Sequence, residues 1–173
     1  MSSLVTDPVT PEQKNAVLRN LGWQPEHIVI DVSSGELPPF APDAAADWIT
    51  FLGPFLHLTD VEIFHCLETA KAALKSDGRI VFSFLEYDVP QHWQLFRRAL
   101  GTPGEGPEHW GASGPPRFLN RATLESWALH LGLTLECHYS GEVRWLQPLQ
   151  SGAVEASAFG QSVAVLARLT ETE

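Results

Sequence analysis

The feature that most restricts this chain is a repeated alternation. Short apolar runs, too brief for helices, stand between segments that carry written-out helix starts. Thr10-Pro11-Glu12-Gln13 supplies a cap, a proline suited to the first helical position and a capping-box partner. Thr59 with Glu62 repeats the device for a helix expected to stop at Ser76-Asp77-Gly78, and Asn120 caps a third helix. Between them lie His27-Ile28-Val29-Ile30, Trp48-Ile49-Thr50-Phe51-Leu52 and the strongest strand, Arg79 to Leu85. A short β-prone run, Leu4-Val5-Thr6, comes first, and Leu133–Tyr139 and Gln161–Leu169 come last. Fully apolar strands alternating with helices predict an α/β fold whose mostly parallel sheet is covered on both faces. No long helix separates the last two strands, so they are expected as an antiparallel hairpin at one edge. Ligands in such sheets bind beyond the carboxyl ends of the strands, which directs attention to Asp7, to Asp31 with Val32, and to Gly53.

Composition narrows the partners. The 173 residues carry a net charge of −10, which opposes nucleic-acid phosphates and anionic membranes and leaves small molecules or proteins. Apolar residues make up 44%, enough for a real core, and the length suits one domain over 1–173. Glycine and proline gather at residues 33–42 and 101–116, marking loops; the stretch 87–118 is expected as an insertion on the substrate side. Cys66 and Cys137 are too few for a disulfide scaffold. Without a basic n-region and apolar h-region, or about 20 apolar residues in a row, the expectation is a cytoplasmic protein.

Three segments resemble one family, the class I S-adenosylmethionine (SAM)-dependent methyltransferases of the small-molecule type. Val5-Thr6-Asp7-Pro8 before a capped helix resembles the family's second strand and its acidic end. Ile30-Asp31-Val32, Glu36-Leu37-Pro38-Pro39-Phe40 and Asp47-Trp48-Ile49 resemble its "GDAxxLPF…FD" stretch. Leu74-Lys75-Ser76-Asp77-Gly78-Arg79-Ile80-Val81-Phe82 resembles "LKPGGRLVF". The resemblance implies a Rossmann-like, doubly wound sheet and SAM as cofactor. It covers residues 4–86 closely and 117–169 loosely.

One departure accompanies the match. The family's first strand and glycine-rich "DxGxGxG" loop should precede Asp7 by about twenty residues, and only six residues do. That strand lies at the centre of the family's sheet, so the expected domain is N-terminally incomplete. Three explanations stand: a truncated chain, a relative that no longer binds cofactor, or a strand borrowed from a homodimer mate or another partner chain. A gap in a central sheet would cost more than a typical stability margin of about 5–15 kcal/mol, so either a dimer or a rearranged strand order is expected.

By the same resemblance, Asp7 would accept from the ribose hydroxyls, Asp31 from the adenine amino group, and the Val32 N–H would face an adenine ring nitrogen. Asp-Pro at 7–8 equally opens a turn, and Asp31 equally ends a strand. Gly53 falls near the transferring methyl group, or in a plain turn. His57 stands where the family often carries a histidine; imidazole suits a general base, and a packed histidine is the alternative. Glu86 could face substrate or be a solvated strand end. Tyr87, Trp93 and Trp110 could stack on an acceptor, or anchor their loop. His65-Cys66 and Cys137-His138 lack metal-ligand spacing. The reaction implied is methyl transfer to a small molecule, driven mainly by proximity and orientation. The rival is a methyltransferase-like binding subunit without activity.

Overall fold

The computed structural model describes residues 8–33, 45–101, 115–148, 154–157 and 160–169. Leu4-Val5-Thr6, Asp7, most of the 33–42 loop and Trp110 lie outside these residues.

Helix α1 spans Pro11–Asn20, and its start is the predicted capping box: Thr10 and Gln13 bond each other's backbone N–H. Strand β1 is Val29–Asp31 and β2 is Ala46–Phe51. A 3-10 turn, Pro54–His57, leads to α2, Asp60–Ala73, which opens with the Thr59–Glu62 box. Strand β3 is Leu74–Glu86, α3 is Pro90–Ala99 and β4 is the short Phe118–Leu119. Helix α4, Arg121–His130, is capped by Asn120, whose side chain accepts from the Thr123 N–H at 2.8 Å. Strands β5 (Leu133–Tyr139), β6 (Trp145–Pro148), β7 (Val154–Ser157) and β8 (Ser162–Arg168) follow.

The main sheet runs β1-β2-β3-β8-β5, with β4 added beside β3. Strands β1, β2, β3 and β4 are parallel neighbours, and β8 is antiparallel to both β3 and β5. Alternate side chains feed two cores, as the period of a strand requires. Ile49, Phe51, Phe82 and Leu166 meet Ile63 and Leu67 of α2 and Leu124 of α4. On the opposite face, Trp48, Val81 and Val165 meet Val17 and Leu18 of α1 and the buried Trp145. The expected α/β sheet covered on both faces is what forms.

Three details differ from expectation. Helix α2 stops at Ala73 rather than at Ser76-Asp77-Gly78, because Leu74 is already extended and pairs with Ala46. The pairing then shifts, with Trp48 opposite Arg79. A Cβ on Gly78 would lie 2.9 Å from the Ala46 carbonyl oxygen, so only glycine lets the chain pass there. The two late strands are antiparallel neighbours at the edge, yet they are not a simple hairpin: the β6–β7 ribbon intervenes.

The third detail concerns the sheet centre. Val29, Ile30 and Asp31 pair directly with Trp48, Ile49 and Thr50. Among the described residues this direct β1–β2 pairing is the rearranged strand order.

Candidate functional site at the carboxyl edge of the sheet

Asp31 is the last residue of β1, and the parallel register sets Thr50 of β2 opposite it. The Thr50 hydroxyl donates to Asp31 Oδ1 at 2.7 Å. Lys14, one turn into α1, donates from Nζ to Asp31 Oδ2 at 2.7 Å and to Ser33 Oγ at 3.0 Å, and Ser33 Oγ donates to the same Oδ2 at 3.0 Å. Burial pushes the Asp31 carboxyl up, but the bonds from Lys14, Thr50 and Ser33 and the Lys14 charge outweigh it, so the group titrates below its ordinary value. Three of a carboxylate's roughly four acceptor positions are filled, and the side chain keeps 40% of its exposure.

Beside this cluster lies a hollow of about 270 Å³, just below the roughly 300–1,000 Å³ usual for ligand pockets. Val9, Lys14, Ser33, Gly53, Leu56 and His57 are among its walls. Gly53 has φ +107° and ψ −41°, a conformation that favours glycine, and turns β2 into the Pro54–His57 segment. Its N–H donates to Ser83 Oγ at 2.7 Å, which fixes the turn to β3. His57 is exposed on the rim rather than packed. Val32 is buried, and its N–H donates to the Thr50 carbonyl at 2.8 Å, continuing the β1–β2 ladder instead of facing outward. Asp7 is outside the described residues; Pro8, one peptide unit on, lines the hollow.

Glu86 ends β3 at the same edge in a different setting. It is 5% exposed, so it is not a solvated strand end. Ser162 Oγ donates to Glu86 Oε1, and His138 Nε2 lies 3.0 Å from Oε2. The Glu86 N–H donates to His92 Nδ1 at 3.0 Å, so the ring proton sits on Nε2 and is given to the Gly160 carbonyl. Burial lowers the His92 pKa, against the raising effects of the Gly160 bond and the Glu86 charge. A Cβ on Gly141 would come within 2.7 Å of both Gly160 O and His92 Nε2, so the network closes against backbone with no space for ligand.

The aromatic residues gather on the other side of the 3-10 turn. Tyr87 stacks on Phe118 at 5.2 Å and meets Phe96 edge-on at 5.2 Å, while Trp93 stacks on Phe96 at 5.1 Å. Tyr87 and Trp93 remain 41% and 45% exposed. A hollow of about 400 Å³ opens on Tyr87, Phe96, Leu100 and Phe118, with Arg117 and Asp60 on its wall. Arg117 Nε and Nη2 grip Asp60 at 2.8 and 2.7 Å. The Arg117 N–H donates to the Leu56 carbonyl at 2.8 Å, tying this hollow's wall to the first one's.

Two solved structures share the arrangement of strands and helices. An O-methyltransferase family 2 protein from Planctomyces limnophilus, solved with apigenin, superposes with a TM-score of 0.51 at 11% identity over 78% of this chain and 34% of its own. A SAM-dependent methyltransferase from Methanosarcina mazei gives 0.50 at 9% identity over 81% and 66%. The chain has the class I methyltransferase fold. LepI in complex with SAM is 12% identical at a TM-score of 0.48, over 88% of this chain and 39% of its own. The chain thus spans between about a third and two thirds of the length of these proteins. No protein-family model matches the chain, and no curated protein matches it in sequence.

Within the methyltransferase fold, the nucleoside end of SAM has a fitting partner: the exposed Asp31 carboxylate, with spare acceptor capacity, is bonded to Lys14 and Ser33, which line the hollow. The methionine end has less to hold it. Gly53 is the only positive-φ glycine among the described walls of the hollow. Lys14, Ser33 and Thr50 carry no motif that marks them. Thr50 is found only through register with Asp31, and Lys14 only through the packing of α1 on the sheet.

Proposed function

We propose that this chain binds S-adenosylmethionine at the carboxyl edge of β1 and β2 and serves methyl transfer to a small-molecule acceptor. The observation that carries the reading is Asp31, held ionised by Thr50 and by Lys14 and Ser33, the last two of which line the first hollow. SAM supplies an electrophilic methyl group. Asp31 accepts from the adenine amino group and Asp7 takes the ribose hydroxyls, while the buried Val32 anchors the end of β1 through its bond to Thr50. Gly53 keeps the wall free of a side chain. His57, on the rim, accepts the proton of an acceptor O–H or N–H at a ring nitrogen.

The acceptor lies in the second hollow against Tyr87, with Trp93 beside it, and Trp110 of the 87–118 stretch is a further candidate for stacking on it; Glu86 holds the strand end from within. Aromatic walls suit an apolar acceptor, and the net charge of −10 speaks for a small molecule over nucleic acid. No described helix is long and apolar enough to cross a membrane. We place the activity in the cytoplasm, in keeping with a sequence of only two cysteines.

A second reading, an inactive binding subunit, is favoured by the direct β1–β2 pairing, which puts no strand and glycine cradle between them. Calorimetry with SAM separates the two. Micromolar binding that weakens about thirtyfold in Asp31→Ala supports the enzyme, since hydrogen bonds to charged groups contribute about 1.5–3 kcal/mol. No heat at millimolar SAM overturns it in favour of the subunit.

A further inference from the structure

We infer that Lys14 reads the adenine ring nitrogen that flanks the amino group, so that the base is recognised by a Lys14–Asp31 pair rather than by the backbone at Val32. The inference rests on the reading above, in which the first hollow takes an adenosyl group. Its starting point is an N–H that is already engaged. A base with an exocyclic amine beside a ring nitrogen needs an acceptor next to a donor. Asp31 is the acceptor. The Val32 N–H is given to Thr50 O at 2.8 Å and cannot serve without breaking the ladder.

Lys14 is the donor in place. Its ammonium sits 2.7 Å from Asp31 Oδ2, lines the hollow, and is 16% exposed. An ammonium has three protons, and among the described residues Asp31 and Ser33 take two. The third completes an acceptor–donor pair that matches the donor–acceptor edge of adenine. The α1 capping box sets where the helix begins, and so sets where Lys14 stands in the first turn.

The test is calorimetry on the full chain with S-adenosylhomocysteine and its 1-deaza and 7-deaza analogues, each lacking one ring nitrogen beside the amino group. Wild type is expected to bind one analogue about tenfold more weakly than the parent, the value of one charge-assisted hydrogen bond. Lys14→Met should bind the parent about tenfold more weakly and no longer distinguish it from that analogue. Lys14→Arg, which keeps a donor, should retain the discrimination and serves if Lys14→Met does not fold. Equal binding of all three ligands by wild type, or discrimination kept in Lys14→Met, overturns the role of Lys14 and leaves the donor site standing. Failure of wild type to bind S-adenosylhomocysteine at all sinks the donor site and the role of Lys14 together.

Discussion

Asp31 and Glu86 each end a parallel strand at the same edge of the same sheet, and they live in opposite circumstances. Asp31 has donors from α1 and β2, keeps 40% of its exposure, and is bonded to two residues, Lys14 and Ser33, that line a hollow. Glu86 is closed in by Ser162, His138 and the His92 ring, with glycine backbone filling the remaining space. A carboxylate with spare capacity and exposure can meet a ligand; one whose partners are internal holds the fold. Being last in a strand of an α/β sheet is therefore insufficient to mark a functional acid. What packs around that end decides.

The largest effect that would break this contrast belongs to Glu86. Replacing it with Ala strands a buried hydroxyl and an imidazole, and should lower unfolding stability by about 3 kcal/mol in urea titrations. Asp31→Ala should instead cost stability less than about 1 kcal/mol, because the Lys14 pair is partly exposed to solvent. Its effect falls on SAM affinity. Equal stability losses in the two variants would erase the distinction between the two acids.

His92 sharpens the contrast through pH. Its pKa is depressed in the fold, so the unfolded chain binds the extra proton first. Stability is complete above the ordinary histidine value of 6.5 and falls as pH drops below it. The depressed Asp31 carboxyl adds a second loss, beginning only near its ordinary value of 3.8 and growing as pH falls further. His92→Leu should lower stability by about 2 kcal/mol by leaving the Glu86 N–H and Gly160 carbonyl without partners. It should also flatten the upper limb of the pH profile while keeping the lower one, as read by melting temperature across pH.

The smallest expected effect is at Gly53. Among the described residues a Cβ there meets only Val9 Cγ2, at 3.7 Å, so the penalty for Gly53→Ala comes from its φ of +107°, at about 1 kcal/mol. A drop of only a few degrees in melting temperature beside a several-fold loss of SAM affinity would mark this turn as part of the donor wall. A large stability loss with unchanged affinity would assign it to the fold.

Much of the fold was legible because its signals are local. The Thr10–Gln13 and Thr59–Glu62 boxes, the Asn120 cap and the apolar runs at 48–52 and 79–85 each need only a few neighbouring residues to be read. The end of α2 was read three residues late, because Gly78 answers to the Ala46 carbonyl across the sheet and not to the helix before it. The candidate site was legible only in part. Asp31, Gly53 and His57 were found from the resemblance, and the structure brings Gly53 and His57 to one hollow beside Asp31. Lys14, Ser33 and Thr50 went unread, since their role depends on contacts 17 and 19 residues distant in the chain.

The order of residues alone thus settled where α1, α2 and α4 begin, that β2, β3, β5 and β8 are strands, and that the sheet is α/β, since capping and periodicity act over single turns. Only the folded chain settled that β1 lies directly on β2, that Glu86 is enclosed, and that Lys14 reaches Asp31. Register, burial and the spare capacity of a carboxylate arise from pairings between distant segments, and no local pattern encodes them.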